Sequence, residues 1–306
     1  MNQKIAYLSI IIAAVLWGVI GVFVTKLYEL GFTPTQVVTI RAVSATLFLL
    51  LYILLRNRNL LKIKVSDSKY FVGTGIISFV FFNWCLFNSI QETSISIATI
   101  LLYTAPAFVT VFSRVLFKES LTAMKVLALC LTLLGCSFVV GLFPANQSAI
   151  TLYGMLLGLG SGLFYALYTI FGKLALARYD SLTVTLYTFI FAAVAIFPFS
   201  SIGNFLSLFT SKEAWVYGIG IGLFSTTLSF ILYTKGLTAV ESSRASIMAT
   251  IEPVVASILS FLLFDETLTW IQYVGIFLVI VAVIMVQDLK KGRRNVKREE
   301  GITTVI

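Results

Sequence analysis

Histidine is absent from this 306-residue sequence, and cysteine, proline and charge are scarce. The missing imidazole removes the commonest general base and metal ligand. The three cysteines, Cys85, Cys130 and Cys136, each sit inside an apolar run and form no CxxC, so they read as small packing residues. No GxxxxGK[ST] loop occurs, which removes that device for holding ATP. Charged residues make up 11% of the chain against 59% hydrophobic, and the mean hydropathy is +0.99. Soluble domains run at about 45–50% apolar and about 25% charged. A soluble core of this size cannot hide so much apolar surface. A soluble enzyme, a secreted disulfide scaffold and a disordered chain are excluded, and what remains is a polytopic membrane protein.

A helix needs about 20 residues to cross roughly 30 Å of hydrocarbon. Ten segments qualify, at 5–25, 34–55, 70–90, 94–116, 122–142, 152–173, 182–200, 214–234, 243–264 and 270–287. The connections are too short for a soluble catalytic domain. The first apolar run has no small-residue cleavage site and nine more runs follow it, so it reads as a span and not a signal peptide. With the N-terminus inside, 19 of the 22 basic residues fall on the cytoplasmic side, including six in the tail that starts at Asp288. Lys26 and Lys212 stay outside, and Arg41 lies within span 2. This asymmetry predicts an N-in, C-in orientation. The net charge of +9 is thus an insertion signal that also suits contact with anionic membrane lipids, and nucleic acid is not expected as a partner.

The chain repeats itself at an offset of 147 residues. Pro106, Ser113, Leu116, Phe117, Glu119, Leu121 and Thr122 match Pro253, Ser260, Leu263, Phe264, Glu266, Leu268 and Thr269, against roughly one or two identities expected by chance. Lys26/Lys173, Tyr70/Tyr217, Gly73/Gly220, Gly75/Gly222, Ser78/Ser225 and Ser96/Ser243 extend the match without a gap. The expected organisation is a first repeat over 1–145, a second over 146–287 and a basic cytoplasmic tail over 288–306. Each repeat holds five spans, so the second copy enters the membrane from the opposite side. Lys118 becomes Asp265 on the side where positive charge is disfavoured. Inverted repeats place a substrate site near the midplane and support alternating access.

The pattern resembles the ten-helix EamA-type members of the drug/metabolite transporter superfamily. The matching pieces are Trp17-Gly18 in span 1 with Lys26 at its outer end, Arg41 early in span 2, and Pro-containing spans 4 and 9. Each of those two spans runs into a Phe-x-Glu-x-Leu-Thr turn before another apolar span. The resemblance implies an all-α integral membrane transporter of amino acids or other small metabolites, often outward-directed, in a bacterial inner membrane, with no cofactor.

Polar residues in a span are expected to face the bundle or a wet cavity. Thr99, Tyr103, Pro106, Thr110 and Ser113 lie within about 40° of one line on span 4, and Ser246, Thr250, Pro253, Ser257 and Ser260 repeat the stripe on span 9. These stripes are candidate cavity walls. Alternatively the hydroxyls bond back to their own helices and pack. Pro106 and Pro253 each remove a backbone donor and suit either a moving gate or a fixed bend. Thr74, Ser78, Phe81, Cys85 and Asn88 align on span 3. Gly222, Thr226, Ser229 and Tyr233 align on span 8, and Ser161, Tyr165 and Tyr168 lie on span 6. Rings with a polar tip, Trp17, Tyr103 and Tyr168 first among them, can stack on a substrate or cap an amine. Gly154, Gly158, Gly162 and Ala166 form a small-residue ridge that predicts a close helix contact.

Two ionisable residues break the repeat. Glu252 is the one acidic residue deep in a span, and its counterpart is Ala105. It can bind a substrate ammonium or a coupling proton, or be hydrogen-bonded across a small-residue helix contact with Ala245, Ala249 and Ala256. Arg41, opposite Thr188, can take a substrate carboxylate in bidentate fashion or snorkel to the outer headgroups. Glu119 and Glu266 read as helix caps or closures of the bundle end. The candidate substrate-binding set is therefore Trp17, Arg41, Thr99, Tyr103, Thr110, Tyr165, Tyr168, Ser229, Tyr233, Thr250, Glu252 and Ser257, with Pro106 and Pro253 as gating positions and no metal or catalytic group. The expected partners are a small-molecule substrate and membrane lipids, and no motif specifies an oligomer. The function expected is secondary transport or facilitated movement of small metabolites. Lipids or other amphiphiles are the alternative substrates, and a membrane sensor or membrane-embedded enzyme the alternatives of another class.

Overall fold

The computed structural model describes residues 1–141, 151–201, 205, 207–264 and 267–287. Asp265, Glu266, the junction between the repeats and the basic tail from Asp288 lie outside the described residues. Eight helical spans are long and apolar enough to cross a membrane: Gln3–Glu29, Pro34–Arg56, Val65–Glu92, Ile95–Leu116, Leu152–Leu176, Ser181–Phe199, Lys212–Leu237 and Ser242–Leu263. They form spans 1–4 and 6–9. Spans 5 and 10, Ala123–Val139 and Trp270–Val286, are apolar helices of 17 residues each. The fold is a ten-helix, all-α membrane bundle.

Hydrocarbon offers no hydrogen bonds, and at several span starts a side chain satisfies the free N–H groups. Hydroxyl and carboxylate caps at Thr33 and Asp180, and at Thr122 and Thr269, open spans 2, 7, 5 and 10. Members of each pair stand 147 residues apart. Thr33 and Thr269 are full capping boxes with Gln36 and Gln272.

Two further irregularities recur at the same offset. Span 4 breaks at Tyr103–Thr104 and span 9 at Thr250, where the backbone leaves the helix for one or two residues. Pro106 and Pro253 sit in the first turn of the half-helix that follows, where a missing N–H costs least. The prolines therefore restart a broken helix; they do not bend a continuous one. Spans 3 and 8 each contain a π-helical stretch, Val72–Val80 and Leu223–Leu228. Their hydroxyls bond five residues back: Ser78 to the Gly73 carbonyl at 2.7 Å and Thr226 to Ile221 at 2.9 Å.

Packing follows the repeat. Span 3 lies along span 6, and its counterpart span 8 lies along span 1; span 2 pairs with span 7, span 5 with span 10, and spans 4 and 9 meet each other. Spans 5 and 10 approach through facing glycines: a Cβ on Gly275 would stand 2.7 Å from the Gly135 carbonyl oxygen. The ridge of Gly154, Gly158 and Gly162 receives Thr93, Leu101 and Thr104, as the small-residue reading predicts. Large apolar side chains such as Leu55, Val194, Trp270 and Phe277 face outward, where lipid would cover them.

Candidate functional site

A cavity of about 490 Å³ opens at one end of the bundle and ends near its middle. Its mouth is lined by Tyr28, Pro34, Ile90, Gln91 and Ile95, which belong to the ends of spans 1 to 4. Its floor is aromatic. Phe230 of span 8 is the hub, with ring centroids 5.2 Å from Trp17, 6.0 Å from Phe79, and 5.0 Å from both Tyr168 and Phe189. Trp17 also lies 5.1 Å from Tyr233 and 6.4 Å from Tyr165. Trp17 Nε1 is buried and makes no hydrogen bond among the described residues.

Two charged side chains line this apolar space. Arg41 is 8% exposed and points inward: Nε donates to Thr226 Oγ1 at 3.3 Å, and the guanidinium carbon lies 5.2 Å over the Phe79 ring. The snorkelling alternative is corrected here, because the guanidinium is held by the π-helical turn of span 8 and by an aromatic face. Glu252, in the first turn after the break in span 9, lines the same cavity from the other half of the chain. Its carboxylate interacts with the Tyr165 hydroxyl and lies in the field of Arg41. Among the described residues, no cation stands within ion-pair distance of Glu252 and no anion within that distance of Arg41. The helix contact foreseen for span 9 is adjacent: Gly18 admits the Glu252 carbonyl, which would lie 2.8 Å from a Cβ there.

The opposite end of the bundle is shut. Tyr168 and Thr234 hydroxyls hydrogen-bond at 2.7 Å, and so do Tyr233 and Thr169. Lys173 Nζ donates to the Leu237 carbonyl at 2.5 Å and to Val240 at 2.9 Å. Glu119 caps span 9: Oε1 accepts the Ser242 N–H at 2.6 Å, and Oε2 accepts from the Ser243 N–H at 3.1 Å and the Ser243 hydroxyl at 2.5 Å. Lys125, 3% exposed, lies 2.9 Å from Glu241 and 4.0 Å from Glu119, and Arg244 pairs with Glu241 at 2.6 Å. Burial raises the Glu241 carboxyl, but Lys125 and Arg244 outweigh it and hold the group below its ordinary value. The charge asymmetry of the loops predicts that this shut end is the cytoplasmic one, an orientation in which the cavity opens to the outside.

Of the residues singled out by sequence, Trp17, Arg41, Ser78, Tyr165, Tyr168, Tyr233 and Glu252 line the cavity. Tyr103, Pro106 and Thr250 line an adjoining void of about 10 Å³, on which Glu252 and Tyr165 also border. Pro253 is buried in span 9 and borders neither space. Thr99, Thr110, Ser229 and Ser257 border neither space. Thr99, Thr110 and Ser229 instead bond to the Ile95, Pro106 and Thr226 carbonyls of their own helices. The hydroxyl stripes therefore serve mainly helix packing and do not form the wall of the large cavity. Sequence periodicity missed Phe79, Phe82 and Asn83, which line it. A π-helical turn adds a residue, so the 100° step that aligned Phe81, Cys85 and Asn88 with Ser78 loses phase across span 3.

Comparison with known proteins identifies the family and the fold. The chain is 32% identical over 197 residues to an uncharacterized transporter of Archaeoglobus fulgidus, covering 64% of this chain and 68% of that protein. It is 25% identical to the uncharacterized transporter YxxF of Bacillus subtilis, over 97% of this chain and 94% of that one. It is also 25% identical to the uncharacterized inner membrane transporter YicL of Salmonella typhimurium, over 94% and 96%. A crystal structure with 16% sequence identity superposes with a TM-score of 0.78 over 95% of this chain and 99% of its own, a likeness of fold. The EamA-like transporter pattern matches twice, over residues 4–141 and 152–287, and the chain belongs to the EamA-like transporter family.

Proposed function

We propose that the protein moves amino acids or closely related zwitterionic metabolites, outward, across a bacterial inner membrane by alternating access. The observation that carries this reading is one apolar cavity holding a cation and an anion with no ion-pair partner among the described residues, Arg41 and Glu252. Buried charges are costly unless matched. A zwitterion matches both: its carboxylate takes the guanidinium fork, its ammonium meets Glu252, and the ring-lined remainder suits an apolar side chain. Between substrates, Glu252 is available to carry a proton. The inner-membrane placement draws on the name of the Salmonella relative.

The test is counterflow in proteoliposomes across a panel of labelled amino acids, the matching amines and the matching acids, with and without a pH gradient. Saturable exchange of the amino acids, with neither half-molecule competing well, is the expected result. Exchange of amines or acids alone removes one of the two charge assignments. A wholly inert panel, from protein that elutes as a single folded species, overturns the substrate class. Lipids or other amphiphiles, which the aromatic floor also suits, would then be tested next.

A further inference from the structure

The 147-residue offset pairs Lys26, near the end of span 1, with Lys173, near the end of span 6. The two lysines make different contacts. On the shut face Lys173 donates to the carbonyls of Leu237 and Val240, the last residue of span 8 and the turn that leads into span 9. A helix carboxyl end has carbonyls without intrahelical donors and a partial negative charge, so an ammonium binds it well. Lys173 thereby ties the junction of spans 8 and 9 to span 6.

Lys26 lies on the open face and pairs with Glu29 at 2.8 Å, both side chains exposed. An exposed pair three residues apart contributes little and is easily exchanged. The counterparts of Leu237 and Val240 are Ile90 and Thr93, in the last turn of span 3 and the link into span 4. Ile90 lines the cavity mouth, and among the described residues no hydrogen bond reaches the Thr93 carbonyl. The other span 6 ties of the shut face have no polar counterpart, because Tyr168 and Thr169 correspond to Gly21 and Val22. The lysine is the one member of that set that both halves retain.

We propose that Lys26 is the positioning residue that closes the outer mouth. It leaves Glu29 and takes the Ile90 and Thr93 carbonyls as the junction of spans 3 and 4 swings against span 1, while Lys173 releases the junction of spans 8 and 9. This rests on the alternating-access reading above, though not on any particular substrate.

The experiment reads the mouth directly. Phe87 lines the open cavity, whereas its counterpart Thr234 is fully buried on the shut face. In purified chain with Cys85, Cys130 and Cys136 replaced by alanine, Phe87→Cys should react with a maleimide only while the mouth is open. Lys173→Gln should slow labelling by at least about threefold, since two charge-assisted bonds that favour the present state are lost. Adding Lys26→Gln should restore the rate, and Glu29→Gln alone, which frees Lys26, should slow it. A double variant that labels as slowly as Lys173→Gln, or a Glu29→Gln variant that labels as fast as the parent, overturns the proposal. No substrate is present, so an inert transport panel with these rate changes intact would overturn the substrate reading alone.

Discussion

Arg41 and Glu252 reach one cavity from opposite halves of the chain, and no ion pair joins them. Each is exposed to the same apolar, ring-lined space, so the field between them is available to whatever enters it. Removing the carboxylate while keeping its shape isolates its part. Glu252→Gln should lower amino-acid counterflow more than about tenfold and abolish any response to a pH gradient, since an amide neither pairs with an ammonium nor carries a proton. Glu252→Asp should retain part of the activity. Normal flux from Glu252→Gln at every pH removes both roles.

Arg41→Lys keeps the charge but loses the planar fork and its stacking on Phe79. The apparent KM for amino acids should rise by about tenfold with folded yield unchanged. An unaltered KM would assign Arg41 to packing against Phe79 and Thr226.

The Glu119 carboxylate satisfies two N–H groups and a hydroxyl at the start of span 9, and stands beside the buried Lys125. Glu119→Ala should cost about 2–4 kcal/mol of stability and lower the Tm in detergent, because the cap is lost and part of the countercharge with it. Glu119→Ala combined with Lys125→Met should cost less than the two single changes added together. Strict additivity would show that the two side chains are not coupled.

Glu241 supplies the pH dependence of the same clamp. Its carboxyl titrates below the ordinary 4.5 in the folded protein, so its contribution is complete above that value and is lost as pH falls through the lower folded one. The Tm of the wild type should fall on acidification below about pH 4.5, and Glu241→Gln should flatten part of that limb. An acid limb of the same depth in the variant would place the responsible group elsewhere.

Gly18 is where span 1 touches span 9, and a Cβ there would lie 2.6 Å from the Val255 Cβ and 2.8 Å from the Glu252 carbonyl oxygen. Gly18→Ala should destabilise by about 1–3 kcal/mol through overpacking. It should also weaken substrate affinity, since span 9 carries Glu252 into the cavity. Val255→Ala removes the Cγ1 that would lie 2.8 Å from the new Cβ but keeps the Val255 Cβ, so it should recover a minor part of both losses, and a Gly18→Ala chain with parental Tm and affinity would show that the two spans separate freely.

Much of the architecture was legible one residue at a time. Apolar runs of membrane-spanning length located ten helices, with most ends within a few residues, because hydrocarbon thickness and backbone hydrogen bonding leave a chain few other options. The Gly154–Gly158–Gly162 ridge marked a close contact, whereas the caps at Thr33, Thr122 and Thr269 emerged only with the helix starts themselves. The site was less legible. Trp17, Arg41 and Glu252 stood out by type, but the hydroxyl stripes of spans 4 and 9 mostly bond within their own helices. The wall residues Phe79, Phe82 and Asn83 were hidden by the π-helical turn that ends the 3.6-residue phase. Composition and periodicity thus determined that the chain crosses the membrane ten times as a repeated unit, since both depend on local solvation. Which face of span 3 meets the cavity, where Arg41 points and which end of the bundle is shut were decided by tertiary packing. Contacts between residues 64 to 185 positions apart set those choices, and no local pattern encodes them.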